Sequence, residues 1–119
     1  MPLKILTIED DTGITTFLNT LLSFYEMQVV IANDGETGIQ LARTESPDLI
    51  LLDLMMPGIS GWEVCQTIRS FSQIPIIVVS AVTERDQIAS ALAAGANVFM
   101  EKPVSVEDLI EQIKHFTNY

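Results

Sequence analysis

Cysteine occurs once in the 119 residues, at Cys65. An intrachain disulfide is therefore excluded, and without further Cys or His at ligand spacing the chain lacks the donors of a structural zinc site. Cys65 reads as a packing residue. Basic residues are scarce: six Lys and Arg stand against sixteen Asp and Glu, a formal net charge of -10. That balance argues against direct binding to nucleic acid or to an anionic membrane. Long apolar runs are missing too. Stretches such as Leu49 to Leu52 and Ile76 to Val79 hold four residues each, and acids arrive by Glu9. Neither a spanning helix nor a signal peptide fits, so a cytoplasmic protein is expected. No repeat, low-complexity segment or linker divides the chain, and 1–119 reads as one domain.

What the sequence does contain is an alternation of short Ile, Leu and Val runs with stretches whose apolar residues recur at helical spacing. Leu3 to Ile8 reads as a first strand. Ile14, Phe17, Leu18, Leu21 and Leu22 then form one helical stripe, capped by Asp11 or Thr12. Val29 to Ala32 is a second strand, and Asp34-Gly35 turns into a helix with Ile39, Leu41 and Ala42 that closes before Pro47. Asp48 to Asp53 is a third strand with a wholly apolar middle, as in strands buried on both faces. Ser60 and Glu63 have the form of a capping box for a helix bearing Trp62, Cys65 and Ile68. Ile76 to Val79 follows as a strand, and Thr83 caps a helix with Ile88, Ala89 and Leu92 that ends at Gly95. Val98 to Glu101 is the last strand. Ser105 and Asp108 open a helix with Leu109, Ile110, Ile113 and Phe116 inward.

Parallel strands need crossover helices, so this alternation predicts a doubly wound α/β fold: a five-stranded parallel sheet with helices on both faces. In such sheets ligands bind beyond the carboxyl ends of the strands. There the chain places Glu9, Asp10 and Asp11 after the first strand, Asp53 after the third, Ser80 after the fourth and Lys102-Pro103 after the fifth. Carboxylates crowded at one sheet edge repel one another, and a cation is the natural remedy. Oxygen donors without His or Cys favour Mg²⁺ over zinc. Glu9, Asp10 and Asp53 with Lys102 sum to two negative charges, which one Mg²⁺ cancels, and a phosphoryl group then meets a neutral pocket. An Asp carboxylate can be the nucleophile for an acyl phosphate. Acids after strands also serve as helix caps, the role assigned to Asp11. His115 reads as a surface residue favoured by the helix dipole.

The motifs Ile8-Glu9-Asp10-Asp11, Asp48 to Gly58 around the third strand, Val79-Ser80-Ala81 and Phe99-Met100-Glu101-Lys102-Pro103 together resemble the receiver domains of two-component response regulators. The resemblance covers essentially the whole chain. It implies the flavodoxin-like strand order 2-1-3-4-5 and a signalling module rather than an enzyme acting on other molecules. It implies Asp53 as the phosphoacceptor, Glu9 and Asp10 as Mg²⁺ ligands with Asp53 and the Met55 backbone carbonyl, and Ser80 and Lys102 gripping the phosphoryl group. A cis Lys102-Pro103 bond and a switch made of Ser80 and Phe99 are also implied. The expected partners are a sensor histidine kinase or histidine phosphotransfer protein, and a downstream effector or output domain reached through the fourth helix, fifth strand and fifth helix. Apolar Met55 and Val82 imply slow self-dephosphorylation. Glu9 stands where Asp is more frequent, Ser80 where Thr is, and Phe99 where Tyr often is.

The alternatives are a flavin binder, disfavoured by acids where a phosphate cradle needs Gly, Ser or Thr, and an aspartyl phosphatase, disfavoured by Met55 two residues after Asp53. A receiver-like protein-binding scaffold that is never phosphorylated remains as the other signalling reading. Glu107 and Gln112 replace the basic residues with which one DNA-binding subfamily dimerises.

Overall fold

The computed structural model describes residues 2–118. Strands β1 (Lys4–Ile8), β2 (Gln28–Ala32), β3 (Leu49–Leu52), β4 (Ile76–Ser80) and β5 (Val98–Glu101) alternate with helices α1 (Thr12–Phe24), α2 (Gly35–Thr44), α3 (Gly61–Arg69), α4 (Arg85–Ala93) and α5 (Val106–Thr117). All neighbouring strands pair in parallel, in the order β2-β1-β3-β4-β5. This is the expected doubly wound sheet.

Side chains alternate across a strand, so each strand feeds two cores. Leu6, Ile8, Ile50, Leu52, Ile76 and Val78 pack with residues of α2, α3 and α4. Ile5, Leu49, Leu51 and Ile77 pack with α1 and α5 on the opposite face. β3 is buried at every position because both layers cover it. The central strands thereby deliver their carboxyl ends, and Asp53 just beyond β3, to one edge of the molecule.

Helix starts follow their caps. Asp11 Oδ1 accepts from the Gly13 and Ile14 amides at 2.8 and 3.1 Å, Asp34 from Thr37 N at 2.8 Å and Ser105 from Asp108 N at 3.1 Å. Ser60 accepts from Glu63 N at 3.3 Å, the forward half of the expected box. Gly95 follows α4 at φ +121°, and a Cβ there would meet Arg69 Cγ.

Two expectations need correction. Glu84, not Thr83, occupies the N-cap of α4, extended and without a side-chain cap bond. α4 rests on the core mainly through Ala91, and its Leu92 is 44% exposed. Phe17, placed in the inward stripe of α1, is 58% exposed. The buried face centres on Thr15, Leu18 and Leu22, at i, i+3 and i+7, and steps of 100° put Phe17 on the far side with Phe24.

Candidate functional site

β1 and β3 are adjacent strands, and their ends bring Glu9, Asp10 and Asp53 together. One carboxylate oxygen from each lies within 4.8 Å of the others. Glu9 and Asp53 are buried, whereas Asp10 is exposed. Lys102, just past β5, reaches in between: its Nζ donates to Glu9 Oε1 at 2.6 Å and to Asp53 Oδ2 at 3.5 Å. The Lys102-Pro103 peptide is cis.

The backbone around this cluster is held from several directions. Glu9 N donates to Ala32 O, Asp53 N to Ile8 O and Lys102 N to Ser80 O, so each residue is fixed by a neighbouring strand. Asn33 Nδ2 donates to Glu9 O at 3.0 Å. Gly61 N donates to Leu54 O at 3.0 Å, and a Cβ on Gly61 would stand 2.3 Å from Asp53 O. Only a residue without a side chain lets α3 approach the Asp53 backbone this closely. Asn33 and Gly61 were not read as site residues from the sequence. Their signals are a polar residue ending the strand beside β1 and a glycine directly after a capping serine.

Burial pushes the Glu9 carboxyl up, the Lys102 hydrogen bond opposes this, and the nearby Asp53 charge adds to the rise. For Lys102, burial alone favours the neutral amine, but the Glu9 hydrogen bond and the charges of Asp53 and Glu9 outweigh it, and its pKa rises. The signs separate the two groups. A carboxyl whose folded pKa exceeds its unfolded value of 4.5 contributes stability that is full below that pH and lost as pH rises through the folded pKa. Ionised Glu9 is therefore a strained group at neutral pH, relieved by added positive charge. Lys102, raised above 10.5, keeps its contribution through neutrality and loses it only in strong alkali.

Ser80 is fully buried at the end of β4, where its Oγ accepts from Val82 N at 3.4 Å. Among the described residues no hydrogen bond joins it to Asp53. Met55 N donates to Asp53 Oδ1 at 3.4 Å, and the Met55 side chain is 61% exposed. Phe99, half-buried on β5, packs against the core beneath α4. Asp11 serves as the α1 cap. His115 is exposed. Cys65 is fully buried, and burial pushes its thiol pKa up.

The arrangement is suited to holding a hard cation. One oxygen from each of three carboxylates converges within 4.8 Å of the others, and hard divalent cations take such oxygen donors. The donors are all oxygen, and Glu9 carries a charge that a cation relieves.

Comparison with known proteins places the chain in a family. The family model described as the response regulator receiver domain matches residues 5–114. The chain belongs to this family. The receiver is 41% identical over 111 residues to the transcriptional regulatory protein AfsQ1 of Streptomyces coelicolor, covering 93% of this chain and 49% of the relative. It is 40% identical over 123 residues to the uncharacterized transcriptional regulatory protein YrkP of Bacillus subtilis, covering 100% of this chain and 53% of that one. The receiver thus spans about half the length of these curated relatives. In structure it is similar to a CheY-like response regulator receiver domain protein from Methanospirillum hungatei, with TM-score 0.95 and 28% identity over 99% of this chain and 95% of that chain. It is also similar to the BeF3-activated N-terminal receiver domain of Klebsiella pneumoniae RstA, with TM-score 0.92 and 28% identity over 98% and 99% of the two chains. Among the described residues no helix is long and apolar enough to cross a membrane.

Proposed function

We propose that residues 1–119 form a single cytoplasmic receiver that takes a phosphoryl group onto Asp53 from a phosphohistidine of a sensor histidine kinase or phosphotransfer protein. The observation that carries this reading is the Lys102 ammonium bridging Glu9 and Asp53 in a cluster of three carboxylates. An acidic pocket this crowded accepts another anion only when positive charge is arranged around the incoming oxygens.

Glu9 and Asp10, with Asp53 and the Met55 carbonyl, would hold Mg²⁺. The ion supplies neutralising charge for the phosphoryl oxygens when bound. A carboxylate oxygen of Asp53 attacks phosphorus; the new P–O bond forms as the P–N bond of the donor breaks, and the imidazole leaves with the electron pair. Lys102 sits within reach of Asp53 and pairs with a phosphoryl oxygen. Ser80 gives up its bond with Val82 N to donate to another. The exposed Met55 side chain offers the donor apolar contact beside the acceptor.

Movement of Ser80 toward the phosphoryl group frees space into which Phe99 turns, remodelling the α4–β5–α5 face that meets the effector or output domain. Phe99 has no hydroxyl, so its two positions differ by packing alone. The apolar side chains of Met55 and Val82 place no water beside the acyl phosphate, and slow self-dephosphorylation follows.

Incubation with a small phosphodonor such as acetyl phosphate tests the reading. Intact mass should increase by one phosphoryl group in the wild type only when Mg²⁺ is present, and Asp53→Asn should abolish the gain. Labelling that persists in Asp53→Asn would displace the acceptor. No labelling of the wild type with Mg²⁺ would leave the scaffold reading instead.

A further inference from the structure

β5 ends the sheet and pairs with a strand on one side only, β4. Its apolar residues Val98, Phe99 and Met100 are half-buried, in contrast to Ile76, Ile77 and Val78 of the adjoining β4, which are buried. Between β5 and α5 lies a groove of 380 Å³ lined by these residues together with Glu101, Asp108 and Glu111; Val98 and Met100 turn toward α5, Phe99 toward α4. No Lys or Arg lines it. Among the described residues none of the three acids makes an ion pair. The nearest cation in sequence, Lys102, is engaged with Glu9 and Asp53; Lys114 is exposed on α5 outside the groove lining.

An apolar floor with a rim of one charge selects a partner by complementarity. A second copy offering the same groove would bring three more carboxylates against these three, and like charges face to face oppose association. We propose that this groove seats a basic protein segment, with Lys or Arg flanking an apolar side chain that rests on Val98 and Met100, the β5 residues on the α5 face, rather than a second copy of the chain. The inference deepens the output face named above and rests on the receiver reading only for coupling to Asp53.

The test uses a fluorescein-labelled helical peptide of Lys and Leu at amphipathic spacing, with a Glu-for-Lys peptide as its counterpart. Anisotropy should detect the basic peptide alone, and amide shifts should move at Val98–Glu101 and in the first two turns of α5. The triple variant Glu101→Gln, Asp108→Asn, Glu111→Gln should weaken binding by about tenfold or more. The triple variant Glu26→Gln, Glu36→Gln, Glu63→Gln removes the same charge elsewhere and should change binding by less than about threefold. Equal weakening by both variants would reduce the effect to net charge and overturn the proposal. So would a dimer, seen by light scattering after labelling, whose amide shifts fall in this groove. Mass labelling of Asp53 is read separately, so its failure counts against the phosphoacceptor reading and leaves the groove result standing.

Discussion

α3 and α4 are adjacent helices of nine residues each in the same layer, yet they are built to different standards. α3 buries Gly61, Val64, Cys65 and Ile68, is capped by Ser60, and carries Glu63 in its first turn and Arg69 in its last, where each opposes the helix dipole. α4 buries Ala91 alone, starts at Glu84 without a cap bond, and has no basic residue in its last turn. Two side chains of α3 hold it: Trp62 Nε1 donates to Gln87 O at 3.0 Å, and Arg69 Nε donates to Gly95 O at 2.9 Å. The site thus has a rigid support on the side of Asp53 and a loosely held helix on the side of Phe99. Elements that move are drawn from the low end of local stability, and α4 satisfies that condition through its own composition.

The largest contrast should come from truncating one apolar residue in each helix. Ile68→Ala removes a fully buried side chain and should cost about 3 kcal/mol in urea unfolding. Leu92→Ala, at a position 44% exposed, should cost less than about 0.5 kcal/mol. Similar costs for the two would erase the distinction. Phe99→Ala acts between these extremes on stability, but its decisive readout is functional: phosphorylation-dependent association with the effector should weaken while Asp53 labelling persists. Unchanged association would detach α4 and β5 from the output.

Much of this is legible in the amino-acid sequence. The apolar runs located every strand, β3 most plainly, because a strand covered on both faces cannot hide its composition, and Asp11, Asp34, Ser60 and Ser105 marked helix starts through chemistry local to a few residues. What stayed hidden depends on how elements meet. The inward face of α1 was misjudged at Phe17 because five apolar residues span more of the helix than the sheet can cover. Lys102 could be placed at the sheet edge, but its 2.6 Å bond to Glu9 joins residues 93 apart in sequence, and no local pattern reports which carboxylate it chooses. Gly61 likewise gains its meaning only from the Asp53 carbonyl packed against it. Thr83 misled because the start of α4 is fixed by little packing, so a good capping residue nearby carries no guarantee.

The link from α3 to α4 offers a finer probe. Arg69 also donates to Ser72 O and to Asn97 Oδ1, and the latter oxygen accepts from Ile76 N at 2.8 Å. Arg69→Ala removes two hydrogen bonds at the exit of α4 and one to the segment after α3, and should cost about 1.5 kcal/mol. Its signature lies in where exchange accelerates: amides of α4 and of the turn to β5 should lose protection, while those of α3 around Val64 and Cys65 keep theirs. Loss of protection spread evenly over both helices would mean that they open as one unit.

The smallest change is the most direct test of the missing cap. Glu84 is extended, with φ -75° and ψ 130°, and its side chain bonds none of the first α4 amides. Serine fits that backbone and can accept from an amide two or three residues on. Glu84→Ser should therefore gain about 0.5 kcal/mol or more and slow exchange in the first turn of α4. If α4 must shift for the signal to pass, the same variant should require more phosphodonor to reach half-maximal association with the effector, with Asp53 labelling at a given donor level little changed. A stabilised first turn with an unaltered association curve would show that the weak start of α4 is incidental to switching.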